Sequence, residues 1–299
     1  MIVQTHDLSK RFGRHDALDR LNLSIPEGSA FALIGANGAG KTTTIKVLMN
    51  LLRPTSGAAT VLGVESTKLS PKEFAQIGYV SENQDMPKPL TVAQYLNYLR
   101  PFYPTWDRAL EAEILKQLRL PLDRKIGALS HGMRMKMSLA CALPFRPKLL
   151  VLDEPFSGLD PLVRDEFMDG LIAQAGEMTV LISSHELAEI EGVVTHVGFM
   201  DQGRLLFQES MEALSNRLRE VRVTLEGEAS AKPYPKEWLQ VRTMCNVLSF
   251  VDTQFSAESM SSRILSIFGS VRHIEVQPIA LRSIFTTLAR EARDAGVAI

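Results

Sequence analysis

An α/β fold built on a buried parallel sheet, with a small α+β domain appended at the C-terminal end, is what this sequence predicts. Three observations carry that prediction. Short apolar runs at Ala30-Phe31-Ala32-Leu33-Ile34, Leu149-Leu150-Val151-Leu152 and Val180-Leu181-Ile182 have the length and composition of strands covered on both faces. A glycine-rich loop, Gly35 to Gly40, separates the first run from a helical stretch that places Ile45, Leu48 and Met49 along one face. Near Arg217 the character changes, with Val221, Val223 and Leu225 alternating ahead of a polar stretch from Gly227 to Lys236.

Taken in order, the first thirty residues alternate as strands do at Ile2 to Thr5 and Leu21 to Ile25, closed by the turn Pro26-Glu27-Gly28. After the glycine loop, the helix over Thr43 to Met49 ends at Arg53-Pro54-Thr55-Ser56-Gly57, and Ala59 to Val64 predicts another strand. Residues 91 to 147 switch to helical spacing. Thr91 and Gln94 form a capping box ahead of Val92 to Leu99. Leu110, Ile114, Leu115 and Leu118 make a second amphipathic face, reached through the proline-broken aromatic link Pro101 to Trp106. Val197 to Met200 leads into a hairpin-like turn, Asp201-Gln202-Gly203-Arg204. In the appended domain, expected over residues 219 to 299, Val247 to Val251 is another strand. Ile264, Ile267 and Phe268 suit a helix face, as do Leu281, Ile284, Phe285 and Leu288.

Composition sets the outer limits. A chain of 299 residues has room for one large domain and a small one. Lys and Arg number 33 against 34 for Asp and Glu, which gives no bulk attraction to nucleic acid or acidic lipid. Cys141 and Cys245 lack metal-ligand or redox spacing and read as ordinary thiols of a reducing compartment. Met1 to Asp7 has no targeting pattern, and no apolar run approaches the length of a bilayer span. A soluble intracellular chain is expected, with no direct membrane insertion and any membrane work done through a partner.

The chemistry concentrates in three places. Gly35-Ala36-Asn37-Gly38-Ala39-Gly40-Lys41-Thr42 fits G-x-x-x-x-G-K-[ST] without a mismatch, and it stands between a strand and a helix. Small residues let backbone N–H groups curl round phosphate oxygens, while the helix N-terminus adds partial positive charge. Lys41 would reach the β- and γ-phosphates and the Thr42 hydroxyl would ligate Mg²⁺. The strand Leu149 to Asp153 ends in a carboxylate that can hold Mg²⁺ opposite Thr42, and Glu154 is placed to polarise an attacking water. Leu129-Ser130-His131-Gly132-Met133 is a loop before an apolar-periodic helix, where Ser130 suits a plain N-cap as well as an anion site.

The order of these segments, continued by Ser157-Gly158-Leu159-Asp160 and Ser183-Ser184-His185, resembles the ATP-binding-cassette (ABC) ATPases over about residues 1 to 215. The resemblance implies a P-loop nucleotide-hydrolysing cassette over residues 1 to 218. It would have a mixed sheet core, an antiparallel β portion and a helical subdomain at about residues 85 to 147. It implies ATP as substrate, Mg²⁺ as cofactor, and binding by Gly35, Asn37, Gly38, Ala39, Gly40, Lys41, Thr42 and Thr43. Glu154 matches the catalytic glutamate, Asp153 the metal-side carboxylate and His185 the switch histidine. For His185 taken alone, a helix start capped with Ser183 and Glu186 is the other reading. Ser130 and Gly132 match the signature loop that serves the opposite subunit, and Asp160 lies in the matching D-loop. Phe12 sits where the family stacks an aromatic on adenine, although core packing suits it equally.

Two positions depart from the family pattern. The signature is usually Leu-Ser-Gly-Gly-Gln, and here His131 and Met133 replace a glycine and the glutamine. The Q-loop glutamine falls where Glu82 stands, with Gln84 two places later, so either side chain could take that role. Both variants resemble exporter-type cassettes whose membrane subunit is a separate polypeptide. The implied partners are a second ABC subunit and a transmembrane permease that holds the cassette, from the cytoplasm, at the inner face of the cell membrane. The implied docking groove lies over residues 82 to 104. A soluble cassette with a regulatory or nucleic-acid-associated role is the other reading. Such chains usually carry two cassettes or long coiled-coil insertions, and this one shows one cassette, no sustained heptads and no basic tract. A kinase or GTPase gives no natural place to Glu154, the Ser130 loop and His185. The appended domain could contact its twin, contact the permease, or cover an edge of the cassette.

Overall fold

The computed structural model describes residues 1–82, 84–173, 178–186, 190, 192–227 and 234–279. Its first compact unit runs from Met1 to Gln208 and its second from Glu209 onward. The first unit opens with β1 (Val3–Phe12), β2 (His15–Leu21) and β3 (Ser24–Ile25), then β4 (Ala30–Ile34) and α1 (Lys41–Leu48). β5 (Ser56–Val61), β6 (Val64–Glu65), α2 (Pro71–Phe74) and β7 (Ile77–Ser81) follow. Three helices come next, α3 (Val92–Leu99), α4 (Arg108–Gln117) and α5 (His131–Ala142). β8 (Leu149–Asp153), α6 (Pro161–Ile172), β9 (Thr179–Ser184), β10 (His196–Asp201) and most of β11 (Arg204–Ser210), whose last two residues fall in the second unit, complete it.

These strands make two sheets. Antiparallel pairing of β1 with β2, β3 and β5 gives a five-stranded sheet that ends in β6. The second has the order β11-β10-β4-β9-β8-β7, with β10 through β7 parallel. β8 is buried along its whole length, as an apolar strand covered on both faces must be. The two sheets share one core, in which Leu8, Leu21 and Ile25 join Phe31, Leu33, Leu149 and Val151. Truncating one of these side chains to alanine would cost about 2–5 kcal/mol in transfer and cavity energy.

Local signals in the sequence explain most of the helix starts. At α3, Thr91 and Gln94 make the reciprocal capping box. Asp107 caps α4 through Ala109 and Leu110 N–H, and Ser130 caps α5 through Met133 N–H. Leu110, Ile114 and Leu118 turn inward. The aromatic link divides in two. Tyr103 stacks on Phe145 at 4.0 Å, and the Trp106 Nε1–H donates to Glu111, which also pairs with Arg100. Tyr98 and Phe102 remain exposed.

The second unit contains α7 (Met211–Arg217), β12 (Arg219–Leu225), β13 (Trp238–Met244), β14 (Val247–Asp252), α8 (Ala257–Phe268) and β15 (Val271–Pro278). Its antiparallel sheet has the order β13-β14-β12-β15. Val221, Val223, Phe250 and Trp238 pack there with Met260 and Ile264 of α8. The division falls earlier than the expected 218/219 boundary because α7 is tied into this unit. Arg217 pairs with Glu209 and donates to the Thr253 carbonyl, while its own carbonyl accepts from Phe255 N–H. The expected helix face Leu281, Ile284, Phe285 and Leu288 lies outside the described residues.

Burial also separates the two thiols. Cys141 lies within α5, where burial pushes its pKa up to about 12, whereas Cys245 is exposed. A thiol reagent at neutral pH should label Cys245 and spare Cys141 in the folded protein, as read by peptide mass spectrometry. Equal labelling of both would show that α5 opens readily.

Candidate functional site

Strand register assembles the site. Ile34 of β4 lies beside Ser184 of β9, and Ser183 of β9 lies beside Asp153 of β8. The residues that follow these strands, Gly35, His185 and Glu154, therefore emerge side by side at the C-terminal edge of the parallel sheet. Ligands bind at this edge in folds of this kind. The Gly35 N–H donates to the Ser184 carbonyl at 3.4 Å, joining two of the three exits.

The loop from Gly35 to Gly40 follows, and two of its glycines are required by space. A Cβ on Gly35 would stand 2.3 Å from the Met200 carbonyl oxygen, and Gly40 combines a φ of +105° with the Ala17 carbonyl 2.7 Å away. The loop thus runs against the sheet edge and hands over directly to α1. The Lys41 ammonium is buried and reaches the carbonyls of Gly35 (2.6 Å) and Ala36 (3.3 Å) and the Glu154 carboxylate (3.0 Å). Thr42 Oγ1 donates to Asp153 Oδ1 at 3.0 Å. Thr43 follows on the same first turn.

Glu154 holds the centre. It adopts a left-handed backbone, φ +50°, a conformation costly for a residue with a side chain and here fixed by its surroundings. Its N–H donates to Ser183 Oγ at 2.9 Å, and that hydroxyl donates to Asp153 at 2.7 Å. One carboxylate oxygen meets Lys41 and the other meets His185 Nδ1 at 2.8 Å. A carboxylate only accepts, so the proton of this contact sits on Nδ1. Burial raises the Asp153 carboxyl above its ordinary range. The hydrogen bonds from Ser183 and Thr42 pull it down, Glu154 adds to the rise and Lys46 opposes it.

The remaining expected residues are placed as follows. Phe12 ends β1 with 47% of its surface exposed and Lys10 Nζ 5.0 Å from its ring centroid, so the core-packing reading falls away. Ser130, Gly132 and Asp160 make their contacts elsewhere. Ser130 and Asp160 cap α5 and α6, and a Cβ on Gly132 would meet Val163 at 2.8 Å. Glu82 accepts from Ser157 Oγ at 3.1 Å, and its N–H donates to the Asp153 carbonyl at 3.3 Å. Gln84 instead lines a cavity of about 270 Å³ with Tyr79, Tyr95, Tyr103 and Phe145, where its Oε1 is buried without a hydrogen-bond partner among the described residues. The cap beside His185 is Ser184, not Ser183: Ser184 Oγ accepts from Glu186 N–H at 2.9 Å while Ser183 faces the site. Sequence reasoning gave no role to Ser183 or Ser157 in this network. Their signal was positional, a hydroxyl at a parallel strand end and another in the turn after Glu154.

The donor set suits a magnesium-bound polyphosphate. A loop in which Gly35, Gly38 and Gly40 lack a Cβ leads to a lysine, a helix N-terminus, and a hydroxyl hydrogen-bonded to a carboxylate. Among the described residues no group of three or more His, Cys, Asp or Glu could hold a metal unaided. An ion completed by substrate phosphate and water needs no such group.

Fold and site together define a P-loop nucleotide-hydrolysing cassette. A family model described as ABC transporter matches residues 18–157. The bacitracin transport ATP-binding protein of Bacillus licheniformis is 35% identical over 222 residues, covering 73% of this chain and 72% of that protein. A lantibiotic transport ATP-binding protein of Streptococcus pyogenes is 30% identical over 226 residues, covering 72% and 93%. A solved ATP-binding subunit of an ABC transporter superposes with a TM-score of 0.65 at 27% identity, over 72% of this chain and 92% of its own. The chain belongs to the ABC transporter ATP-binding family, and it is an ATP-hydrolysing subunit that powers such a transporter.

The raised Asp153 carboxyl has a stability consequence. A carboxyl whose folded pKa lies above its unfolded value favours folding while protonated, and that contribution is lost as pH rises through the folded pKa. Asp153→Asn keeps both hydrogen-bond acceptances and removes the buried charge. The variant should melt higher than the parent at neutral pH without nucleotide, with the gap closing on acidification. Scanning calorimetry at several pH values checks this.

Proposed function

We propose that the chain is the ATPase of an exporter whose membrane path lies in a separate polypeptide, and that two cassettes close on two ATP molecules. The observation that carries the catalytic part is Glu154, whose carboxylate is bracketed by Lys41 at 3.0 Å and His185 at 2.8 Å. A polyphosphate in the Gly35–Thr42 loop competes for the Lys41 ammonium, which frees one oxygen of Glu154 to accept a proton from the attacking water. His185 keeps the other oxygen in place and presents its ring to the terminal phosphoryl. Gly38 and Gly40 N–H groups and the start of α1 stabilise the charge on the phosphates. Thr42 and Asp153 would hold Mg²⁺, which when bound neutralises phosphate charge. Glu82, through its contact with Ser157 and Asp153, is read as the residue of the Q-loop position that faces the reaction.

Ser130 and Gly132, at the start of α5, would serve the nucleotide of a second subunit, with Asp160, the cap of α6, in the loop between the two subunits. Phe12, with its ring half exposed at the end of β1, is read as the adenine platform. Tyr95, which lines the cavity holding Gln84, stacks on Tyr98, and Tyr98 meets Phe102; these last two rings are 58% and 61% exposed. An exposed aromatic patch joined by ring contact to a cavity wall suits a cytoplasmic segment of the permease. No helix among the described residues is long and apolar enough to cross a membrane, and peripheral attachment through that partner accounts for the membrane work. The relatives named for bacitracin transport and lantibiotic transport support a cargo of that kind. Residues 1–208 are read as the nucleotide-binding unit and the remainder as an accessory domain.

Lys41→Ala should abolish ATP turnover by the purified chain, and unchanged turnover would overturn the assignment of the loop. Glu154→Gln should lower kcat by about 10²- to 10⁴-fold with ATP binding intact and a dimer trapped by ATP, read by light scattering. Parental kcat would remove Glu154 as the base. Affinity capture from membranes should recover a polytopic membrane protein, and Tyr98→Ala with Phe102→Ala should lose it. Recovery of soluble partners alone would favour the regulatory reading.

A further inference from the structure

His131 occupies the first position of α5, next to its cap Ser130. Its ring does not turn to solvent. Nε2 lies 3.0 Å from the carbonyl oxygen of Ser157, in the turn between β8 and α6. A carbonyl only accepts, so Nε2 carries the proton, as it can in one neutral tautomer as well as in the cation. The ring passes the neighbouring Gly158 without crowding it. A Cβ there would still stand 3.9 Å from His131 Cδ2. From the same Ser157 the hydroxyl donates to Glu82, and Glu82 is joined through its N–H to the Asp153 carbonyl. A continuous series of hydrogen bonds thus runs from the start of α5 to the end of β8. The packing of Gly132 on Val163 and the Lys136–Glu166 ion pair also join α5 to α6.

We propose that His131 is a positioning residue. It anchors the turn at Ser157 to the start of α5, and through Ser157 it sets the orientation of Glu82 beside the magnesium-side carboxylate of its own subunit. This rests on the reading of the Ser130 loop as facing the nucleotide held by a second copy. Under that reading, His131 joins the element serving one nucleotide to the element serving the other. Closure of the Ser130 loop on the partner's nucleotide then pulls on the turn that orders the home site, and the two sites fire together.

The test is steady-state ATPase kinetics of the full-length chain with three single variants, His131→Ala, His131→Gln and Ser157→Ala, and the double variant of His131→Ala with Ser157→Ala. Loss of one positioning hydrogen bond should lower kcat about three- to tenfold, with KM and monomer ATP affinity near the parental values. The Hill coefficient for ATP should fall from about 2 toward 1. His131→Gln, whose amide nitrogen can occupy the place of Nε2, should restore both. Ser157→Ala should match His131→Ala, and the double variant should be no worse than either single one. Parental kcat and Hill coefficient in His131→Ala would overturn the proposal. So would His131→Gln as impaired as His131→Ala with equal losses of thermal stability, since that marks the ring as packing only. Glu154→Gln separates the underlying reading. If that variant stays monomeric with ATP, the two-copy reading fails and the coupling falls with it. If it dimerises while His131→Ala behaves as the parent, the role of His131 alone is refuted.

Discussion

The register of three parallel strands is the constraint on which the site depends. With Ile34 beside Ser184 and Ser183 beside Asp153, the chain leaves β4, β9 and β8 at one level. A slip of one residue would turn Asp153 from the carboxylate-and-hydroxyl cluster into the apolar layer beneath, and Leu152 outward. Burial of β8 on both faces makes that slip expensive, so the core that stabilises the sheet also fixes the chemistry. The left-handed turn at Glu154 is a local result. The strand must end at Asp153, yet the next side chain must swing back between Lys41 and His185. The Ser183 hydroxyl, bonded to Asp153 and to Glu154 N–H, holds that reversal.

Charge in this cluster is balanced by neighbours rather than by water. Lys41 is nearly enclosed and meets two backbone carbonyls as well as the Glu154 carboxylate. Leaving a buried ammonium unpaired would cost roughly 3–5 kcal/mol. On the proposed mechanism this enclosure is what makes the site selective for a polyphosphate. Any ligand that displaces Glu154 must bring enough negative charge to replace it, and the same displacement gives Glu154 its catalytic freedom. Binding and activation are then one exchange of partners, with no need for a large movement of the loop.

What the sequence disclosed and what it hid divide along locality. The glycine loop, the strand ending Asp153-Glu154, and the caps at Thr91 and Ser130 are written in neighbouring residues, so period and spacing were enough to read them. The strand β7 was passed over because Gly78 and Tyr79 interrupt its apolar run; its pairing with β8 supplies what its composition does not. Phe12 could not be assigned to surface or core from its neighbours, because its exposure depends on β1 running past β5 while still paired with β2. Ser183 and Ser184 are adjacent hydroxyls with different tasks. Strand alternation sends the first to Asp153 and leaves the second to cap Glu186, a distinction visible only once β9 is set beside β8. The boundary near residue 208 was hidden for the same reason, since Arg217 finds Glu209 and Thr253 only in three dimensions.

Glu82 and Gln84, two positions apart, show how a short segment can serve two surfaces. Glu82 faces Ser157 and the end of β8, whereas the Gln84 carbonyl oxygen lies in an aromatic-lined cavity with no donor among the described residues. A buried acceptor left without a donor costs about 1–3 kcal/mol, so an occupant that supplies one gains that much beyond its apolar contact. Such an occupant acts on the segment that also carries Glu82. On the proposed function, the permease therefore needs no long path to the reaction. Moving Gln84 shifts the backbone whose N–H already binds the Asp153 carbonyl, and the groove and the phosphate site share that one short piece of chain.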